Sequence, residues 1–436
     1  MLRRSLPTIV RHARSLRPAR VFSTKLERDI ARSITATGPI SFAKYMELCL
    51  QHPTEGYYAG KNTANTEIVG ARGDFVTSPE ISQHFGQLIA IWFLSLWQQY
   101  PTLPRLRVIE LGPGRGTLVG DIVQTFRSIP RIRDKLAAVD LVETSATLAD
   151  IQKATLTERM AGASDVPIRW WSTFDDVPQS EDFAVVIAHE FFDALPVHLI
   201  EKTASGWQEV LVGASPASRS GEDQYLVNSQ NLVDSTRFRY VLSGPSLLAN
   251  KLSTISPRYS TSNIPAGTRI EVSPRGYDLS KKIAQFISSN GEGKPSHGAA
   301  LFVDYGDARF FSDSVRAFQK HKLVDVFHEP GQTDLTSNVD FALLREAVEG
   351  IATVHGLINQ ATFLGRMGLE MRLKQTLANT TNPADQTRMM KAAGRLVDMG
   401  PMGMGRQYQF MGLSTVAAGQ EVYPFVQENA ELRPAS

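Results

Sequence analysis

Three glycines at alternate positions, directly after a short apolar run, constrain the fold of this 436-residue chain more than any other feature. Residues 108–111 have the length and composition of a buried strand, and Gly112, Gly114 and Gly116 follow at once. A helix is predicted to begin at about Thr117. Glycines let the backbone turn sharply from strand to helix and approach a ligand without a Cβ in the way. The segment therefore predicts a nucleotide-type binding turn, with a tight turn that holds no ligand as the alternative.

Strands and helices alternate along the chain after this turn. That alternation predicts an α/β fold of the Rossmann-like type, a mostly parallel seven-stranded sheet with helices on both faces. The predicted strands are residues 108–111, 138–142, 168–171, 184–188, 300–304, 323–327 and 409–413.

Three further regions are predicted around or within this core. Residues 25–105 form an N-terminal helical region, because apolar residues recur there at steps of three and four. The core itself spans 106–436. Residues 214–267 are rich in Ser, Asn and Pro and predict a β-rich insertion, whereas 341–396 predict a helical insertion.

Residues 1–24 differ in composition from the rest of the chain. They contain six arginines among Ser, Ala, Leu and Val, and the first acidic residue is Glu27. This composition is typical of a mitochondrial transit peptide. Removing residues 1–23 lowers Lys+Arg from 46 to 40 against 44 acids, a net charge of about −4. The remaining chain therefore offers no basic surface that would predict nucleic-acid binding.

Two further classes of structure are disfavoured. No apolar stretch approaches the roughly 20 residues of a membrane-spanning helix, so we expect no transmembrane segment. Cys49 is the only cysteine, which excludes an internal disulfide and a Cys-rich zinc site, and no metal is predicted.

The residues around the glycines distinguish between two cofactors. A dinucleotide site prefers Gly-x-Gly-x-x-Gly, but Thr117 occupies the third glycine position here. The pattern that begins with Glu110 and ends with Gly116 is instead typical of class I methyltransferases, which bind S-adenosyl-L-methionine. Glu143 ends the next strand, where a carboxylate can accept the ribose hydroxyls, and Phe174 follows the third strand, where an adenine is expected. An NAD-dependent oxidoreductase remains a weaker alternative.

Two acids and a histidine follow the fourth predicted strand. His189, Glu190 and Asp193 lie where ligands bind in open α/β sheets, at the carboxyl ends of the strands. Glu190 and Asp193 could hold a cationic guanidinium group in line for methylation, and His189 could accept the departing proton.

Taken together, these motifs resemble the MidA family, the mitochondrial complex I assembly-factor arginine methyltransferases and their bacterial relatives. The resemblance covers nearly all of residues 26–415, and the segment Gly-Asp-Phe-Val-Thr-Ser at 73–78 is its most specific part. The matching segments are residues 38–42, 45–46, 56–58, 73–82, 110–116, 190–196, 304–307, 331–336 and 339–341.

The resemblance implies a class I methyltransferase fold with added helices. It also implies that the protein is located in the mitochondrial matrix. It further implies symmetric dimethylation of an arginine in a core subunit of complex I, as a step required for assembly. Carried over by motif, the residues implied to close over the cofactor are Gly73, Asp74, Thr77 and Ser78, and those implied to line the acceptor side are Asp304, Tyr305 and Asp334.

Several points stay open at this level. A non-catalytic assembly chaperone that retains the cofactor fold is an alternative, although the intact glycines and acids disfavour it. A homodimer is a possible assembly, and the oligomeric state stays open. The sequence does not identify the acceptor arginine or its degree of methylation.

Overall fold

The computed structural model describes residues 23–58, 76–103, 105–160, 166–214, 237–244, 246–260, 264–289, 293 and 296–426. Residues 1–22 of the predicted transit peptide, Gly73, Asp74 and about half of the predicted β-rich insertion, namely residues 215–236, 245 and 261–263, lie outside these ranges. The helices are α1 (Lys25–Thr37), α2 (Phe42–Gln51), α3 (Ser78–Ile81), α4 (Gln83–Trp97), α5 (Thr117–Ser128), α6 (Ala146–Arg159), α7 (Leu247–Ile255), α8 (Pro274–Ser288), α9 (Phe341–Val348), α10 (Gln360–Arg366), α11 (Leu369–Ala378), α12 (Pro383–Leu396) and α13 (Met404–Gln407). Short 3₁₀ turns are Arg133–Lys135, Phe174–Asp176 and Pro257–Tyr259.

The strands form three sheets. They are β1 (Ile40–Ser41), β2 (Leu106–Leu111), β3 (Leu136–Val142), β4 (Ile168–Trp171), β5 (Phe183–His189), β6 (His198–Thr203), β7 (Gly206–Ala214), β8 (Phe238–Leu242), β9 (Arg269–Val272), β10 (Gly298–Asp307), β11 (Arg316–Gln319), β12 (Lys322–Val324), β13 (Asp334–Thr336), β14 (Val339–Asp340), β15 (Thr353–Asn359) and β16 (Tyr408–Ser414).

The main sheet carries the glycine turn at its centre. Its order is β15-β16-β10-β5-β2-β3-β4, and the two-residue β14 pairs with β10. Strands β10, β5, β2, β3 and β4 are mutually parallel, whereas β16 is antiparallel to β10. Because the chain runs from β2 outward to β4 and then returns to β5 on the other side, β2 stands at the reversal of strand order. Ligands of open α/β sheets bind at this point.

Two apolar layers cover the faces of the main sheet. Side chains alternate along a strand, so Val108 enters the cluster with α4 and α5, and Ile109 enters the cluster with α8 and α9. Strand β2 is buried at all six positions, as expected of a parallel strand between two helical layers. The α/β fold with a mostly parallel sheet and helices on both faces is thus confirmed.

The second sheet lies beside the carboxyl ends of the strands of the main sheet. It has the antiparallel order β1-β7-β6-β9, with β8 paired to β7, and it packs with α1 and α2 into one apolar cluster. A small sheet, β12-β11-β13, joins the same cluster through Ala317 and Leu335. This packing places the end of α2 and strand β13 next to the carboxyl ends of the main strands.

Two predicted elements differ from the structure. Residues 323–327 were expected in the main sheet, but β12 is only three residues long and belongs to the small antiparallel sheet. The remaining main strand is β15, which lies inside the segment 341–396 that predicted only helix. Its pairing with β16 is interrupted between His355 and Ile358, and its side chains are mostly half-buried. An irregular edge strand of this kind has neither the apolar run nor the strict alternation that predicts a strand.

No helix within the described residues is both long enough and apolar enough to cross a membrane.

Candidate active site

A cavity of about 640 Å³ opens at the carboxyl ends of β2, β3 and β5. This volume lies within the roughly 300–1,000 Å³ of small-molecule and cofactor sites. Its wall contains the glycine turn, Glu143 and Phe174 toward one end and Glu190, Asp193 and Tyr305 toward the other. The cavity therefore joins the predicted cofactor site and the predicted acceptor site in one continuous space.

The glycine turn has the backbone geometry that requires glycine. Gly112, Gly114 and Gly116 have φ values of 60°, 53° and 79°, in the left-handed region that residues with a Cβ rarely adopt. A Cβ on Gly112 would lie 2.7 Å from Cδ2 of Phe191. Glu110 stabilises the turn because its Oε2 accepts a hydrogen bond of 3.1 Å from Val119 N on α5.

Glu110 and Glu143 both line the cavity, Glu110 as a buried side chain and Glu143 as a half-buried one. Burial raises the pKa of Glu110 to about 8, and the hydrogen bond from Val119 N opposes that rise. Burial also raises the pKa of Glu143, against the hydrogen bonds that its carboxylate accepts. The structure thus brings both predicted acids to the cavity. The contact of Glu143 with the ribose hydroxyls stays a prediction.

Gln152 on α6 links the glycine turn to Glu143. Its Nε2 donates to Gly114 O at 2.9 Å and to Glu143 Oε2 at 3.0 Å, while its Oε1 accepts from Trp170 Nε1 at 2.9 Å. The residue is fully buried, and Ser145 N binds the other oxygen of Glu143 at 2.8 Å. The sequence carries no signal for this role, because a single glutamine inside a helix with many polar residues is indistinguishable from a surface residue.

The expected adenine end is closed by an aromatic side chain and an ion pair. Phe174 is buried against Phe286 of α8, with ring centroids 5.2 Å apart. Lys282 of α8 contacts Asp175 beside it, with Nζ and Oδ2 2.5 Å apart. Helix α8 therefore forms one wall of the cofactor site, which the sequence did not predict.

Two predicted cofactor-binding residues, Thr77 and Ser78, lie in the segment before α4, and only Thr77 reaches the cavity. Thr77 lines the cavity, and its side chain makes no capping hydrogen bond to α3. Ser78 does not line the cavity. It is fully buried, and its hydroxyl donates to Gln360 Oε1 at 3.1 Å. The expectation that Ser78 binds the cofactor is thus corrected to a packing role.

Glu190 occupies a strained position at the end of β5. Its φ is 48°, an uncommon value for a non-glycine residue, and such strain is concentrated at functional sites. Burial, followed by the nearby Asp193 carboxylate, raises the pKa of Glu190 to about 8. Its Oε1 has no hydrogen-bond partner among the described residues, although His189 Nε2 lies 3.6 Å away.

His189 lies between aromatic rings. Its ring stacks on Tyr408 at 6.4 Å between centroids and meets the edge of Phe85 at 5.3 Å. Burial lowers the pKa of His189 to about 3, so the imidazole is neutral near physiological pH. A neutral ring with so low a pKa is poorly suited to store a proton.

Asp193 is held through one carboxylate oxygen. Its Oδ2 accepts a hydrogen bond from the hydroxyl of Tyr305 and another, of 2.7 Å, from Thr336 Oγ1. Its Oδ1 is buried and has no hydrogen-bond partner in the described part of the chain. The structure therefore places Tyr305, one of the expected acceptor residues, at the cavity, where its hydroxyl is engaged by Asp193.

Asp304 has a different position from the one expected. It is fully buried and absent from the cavity wall, and its Oδ2 accepts from the backbone N–H groups of Phe192 and Asp193 at 3.1 and 3.2 Å. Its Oδ1 accepts from Tyr305 N at 3.0 Å. Because these bonds hold the turn from Glu190 to Asp193, Asp304 supports the acceptor site from behind and does not face it.

Asp334 does reach the cavity, opposite the main sheet. Tyr58, at the end of the segment after α2, donates a hydrogen bond of 3.0 Å to its Oδ1. Glu80 of α3 adds a further acid to the wall. Tyr58 and Glu80 were not among the expected site residues, although both belong to segments that carry the family resemblance.

The sequence matches the profile of a family of S-adenosyl-L-methionine-dependent methyltransferases over residues 88–358. It is 37% identical over 412 residues to the protein arginine methyltransferase NDUFAF7, mitochondrial, of Homo sapiens, covering 91% of this chain and 85% of the relative. The protein of the same name from Danio rerio is 33% identical over 431 residues, covering 95% of this chain and 93% of the relative.

The fold is similar to a crystal structure from Burkholderia thailandensis that contains S-adenosyl-homocysteine. The two share a TM-score of 0.68 at 24% sequence identity, over 90% of this chain and 93% of the bacterial one. This likeness supports the methyltransferase fold.

Proposed function

Because the chain belongs to the MidA family of S-adenosyl-L-methionine-dependent methyltransferases, we propose that it methylates an arginine side chain of a protein. The cofactor is S-adenosyl-L-methionine, which supplies an electrophilic methyl group. The cavity fits it, since the glycine turn leaves room for close backbone approach and Glu143 and Phe174 line the same end.

One observation carries the choice of a cationic acceptor. Glu190 Oε1 and Asp193 Oδ1 are both buried at one end of the cavity without hydrogen-bond partners among the described residues. A buried carboxylate without a partner is unfavourable, whereas a guanidinium offers a planar set of donors that pairs well with carboxylates. The basic residues of the described cavity wall, Arg115, Arg275 and Lys282, belong to the glycine turn and α8. The acid end therefore has a place for a cation from outside.

Glu190 is better suited than His189 to take up the proton that the acceptor nitrogen loses. A bound guanidinium favours the ionised form of Glu190. Because burial otherwise raises the pKa of this carboxyl to about 8, the carboxylate can take up and hold a proton near neutral pH once the cationic charge is lost. The pKa of about 3 makes His189 a poor proton acceptor, in contrast to the role expected from its position in the sequence. His189 instead packs beside Glu190, with its Nε2 3.6 Å from Glu190 Oε1.

The finer assignment rests on the family resemblance of the sequence motifs. We propose symmetric dimethylation of an arginine in a core subunit of complex I, in the mitochondrial matrix, as a step in assembly. The arginine-rich, acid-free segment 1–24 and the word mitochondrial in the names of the relatives support that location.

The test is methyl transfer to a natural acceptor. The purified full chain is incubated with tritiated S-adenosyl-L-methionine and a mitochondrial extract from cells that lack it. We expect label in one protein that copurifies with complex I, and symmetric dimethylarginine after acid hydrolysis. Label in methyl-lysine or in a small molecule would contradict the proposal.

Glu190→Gln is the matched variant, because it keeps the shape of the side chain and removes its charge. We expect at least a 100-fold loss of rate, in the range of roughly 10²–10³ for one preorganised electrostatic contact. Glu181→Gln, at an exposed position, should leave the rate unchanged. If Glu190→Gln retained full transfer, the acid end of the cavity would not be the acceptor site.

A further inference from the structure

Strand β13 brings two polar side chains to the acceptor end from one face. Residues two apart on a strand point to the same side, so Asp334 and Thr336 share a face while Leu335 points into the apolar cluster with α1 and α2. Asp334 meets Tyr58, and Thr336 meets Asp193. Thr336 is only 2% exposed, and no feature of the sequence suggests that its hydroxyl has a role.

The backbone secures the same contact. Ser337 N donates to Asp193 O at 3.0 Å, and Asp193 N donates to Asp304 Oδ2 at 3.2 Å. Thr336 Oγ1 also lies 2.7 Å from the hydroxyl of Tyr305. The Asp193 backbone is thus fixed on both sides, and the remaining freedom is rotation of its carboxylate.

We propose that Thr336 is a positioning residue for the acceptor: together with the Tyr305 hydroxyl it binds one oxygen of Asp193, so that the other oxygen faces the acceptor cation. The proposal rests on the arginine methyltransferase activity proposed above. A carboxylate that can rotate presents its free oxygen to the acceptor only part of the time, and misplaced reacting groups lose rate steeply.

The charge of Asp193 depends on the same two hydroxyls. Burial raises the pKa of Asp193, and the hydrogen bonds from Tyr305 and Thr336 lower it, as does the nearby charge of Arg316. Arg316 lies over the Tyr305 ring, with Cζ 5.3 Å from the centroid. The other titratable groups packed around Asp193 and Glu190 are Tyr58, Glu80, His189, Asp304, Asp334 and Tyr408.

The experiment compares three variants in the tritium-transfer assay, with the extract at subsaturating concentration. Thr336→Val keeps the shape and removes the hydroxyl, and Thr336→Ser restores the hydroxyl. Thr333→Val is the matched control. Thr333 is equally buried in the same segment, but its hydroxyl donates to His328 O at 2.8 Å and does not contact Asp193. Calorimetric titration with S-adenosyl-homocysteine measures the cofactor site separately.

We expect Thr336→Val to lower the rate about 10- to 100-fold, the loss of a hydrogen bond to a charged group. Thr336→Ser and Thr333→Val should stay within about threefold of the wild type, and all three should bind S-adenosyl-homocysteine within about threefold. The acid limb of the pH–rate profile of Thr336→Val should move up by about one pH unit, because the ionised form of Asp193 loses a donor. A merely structural defect would not move that limb.

Three results would overturn the proposal: equal losses in Thr336→Val and Thr333→Val, failure of Thr336→Ser to recover, or an unshifted acid limb. Hydrolysis of the labelled product tests the proposed function separately. If the label is not in methylarginine but the Thr336 pattern holds, the arginine assignment fails and the positioning role stands. If methylarginine forms and the variants do not differ, only the positioning role fails.

Discussion

Replacing Gln152 by leucine should weaken both the fold and the cofactor site. Leucine fills a similar volume but removes the hydrogen bonds to Gly114 O, Glu143 Oε2 and Trp170 Nε1. Each bond contributes about 1 kcal/mol net, so their joint loss lowers the free energy of unfolding by about 3 kcal/mol. For a chain of 436 residues this corresponds to a fall in Tm of about 3 °C.

The same change should also lower cofactor affinity. Without Gln152, the Glu143 carboxylate keeps its backbone donors, such as Ser145 N–H on its other oxygen, but loses its side-chain donor, and the Gly114 carbonyl loses the same donor. We expect S-adenosyl-homocysteine to bind about tenfold more weakly, equivalent to about 1.4 kcal/mol. Calorimetric titration gives the dissociation constant, and differential scanning fluorimetry without ligand gives Tm.

Gln124→Leu is the control for a lost glutamine. Gln124 is exposed on α5, and its Oε1 accepts from Gln83 and Arg159 at 2.8 and 2.9 Å. Exposed substitutions of this kind usually change stability by less than about 0.5 kcal/mol. If Gln152→Leu melted within about 1 °C of the wild type and bound S-adenosyl-homocysteine equally well, the linking role of Gln152 would be refuted.

Three further predictions concern the same cavity. Glu190 has a pKa of about 8 in the folded protein, against an ordinary value of 4.5, so its contribution to stability is present below about pH 4.5 and is lost as pH rises through 8. Glu190→Gln should therefore flatten the plot of unfolding free energy against pH between these two values. An unchanged slope would contradict the raised pKa. Gly112→Val should lower S-adenosyl-homocysteine affinity at least tenfold in a calorimetric titration, because a Cβ at φ 60° would lie 2.7 Å from Phe191; equal affinity would show that the turn tolerates a side chain. Asp304→Asn should lower the free energy of unfolding, measured by chemical denaturation, by about 1–3 kcal/mol, because an amide NH₂ cannot accept the backbone hydrogen bonds that this carboxylate accepts. The variant should also transfer methyl groups more slowly without a change in cofactor affinity. A normal rate would exclude a supporting role for Asp304.

The sequence determined the parts of this protein that depend on neighbours along the chain. Strand β2 and the glycine turn could be predicted because an apolar run followed by alternate glycines has few other backbone solutions. Glu143 and Glu190 could be placed at the cavity because the carboxyl ends of parallel strands meet at one edge of the sheet.

Only the tertiary structure decided which side chains complete the site. Thr336 meets Asp193 from 143 residues away, and Tyr58 meets Asp334 from 276 residues away. Contacts at such separations depend on how the sheets pack, so neither residue type nor periodicity reveals them. Tertiary packing also explains the position of Asp304, which was predicted to face the acceptor but supports the acceptor site from behind. The motif gave only its place along the chain, whereas the packing of β10 against the turn after β5 decided where its carboxylate points.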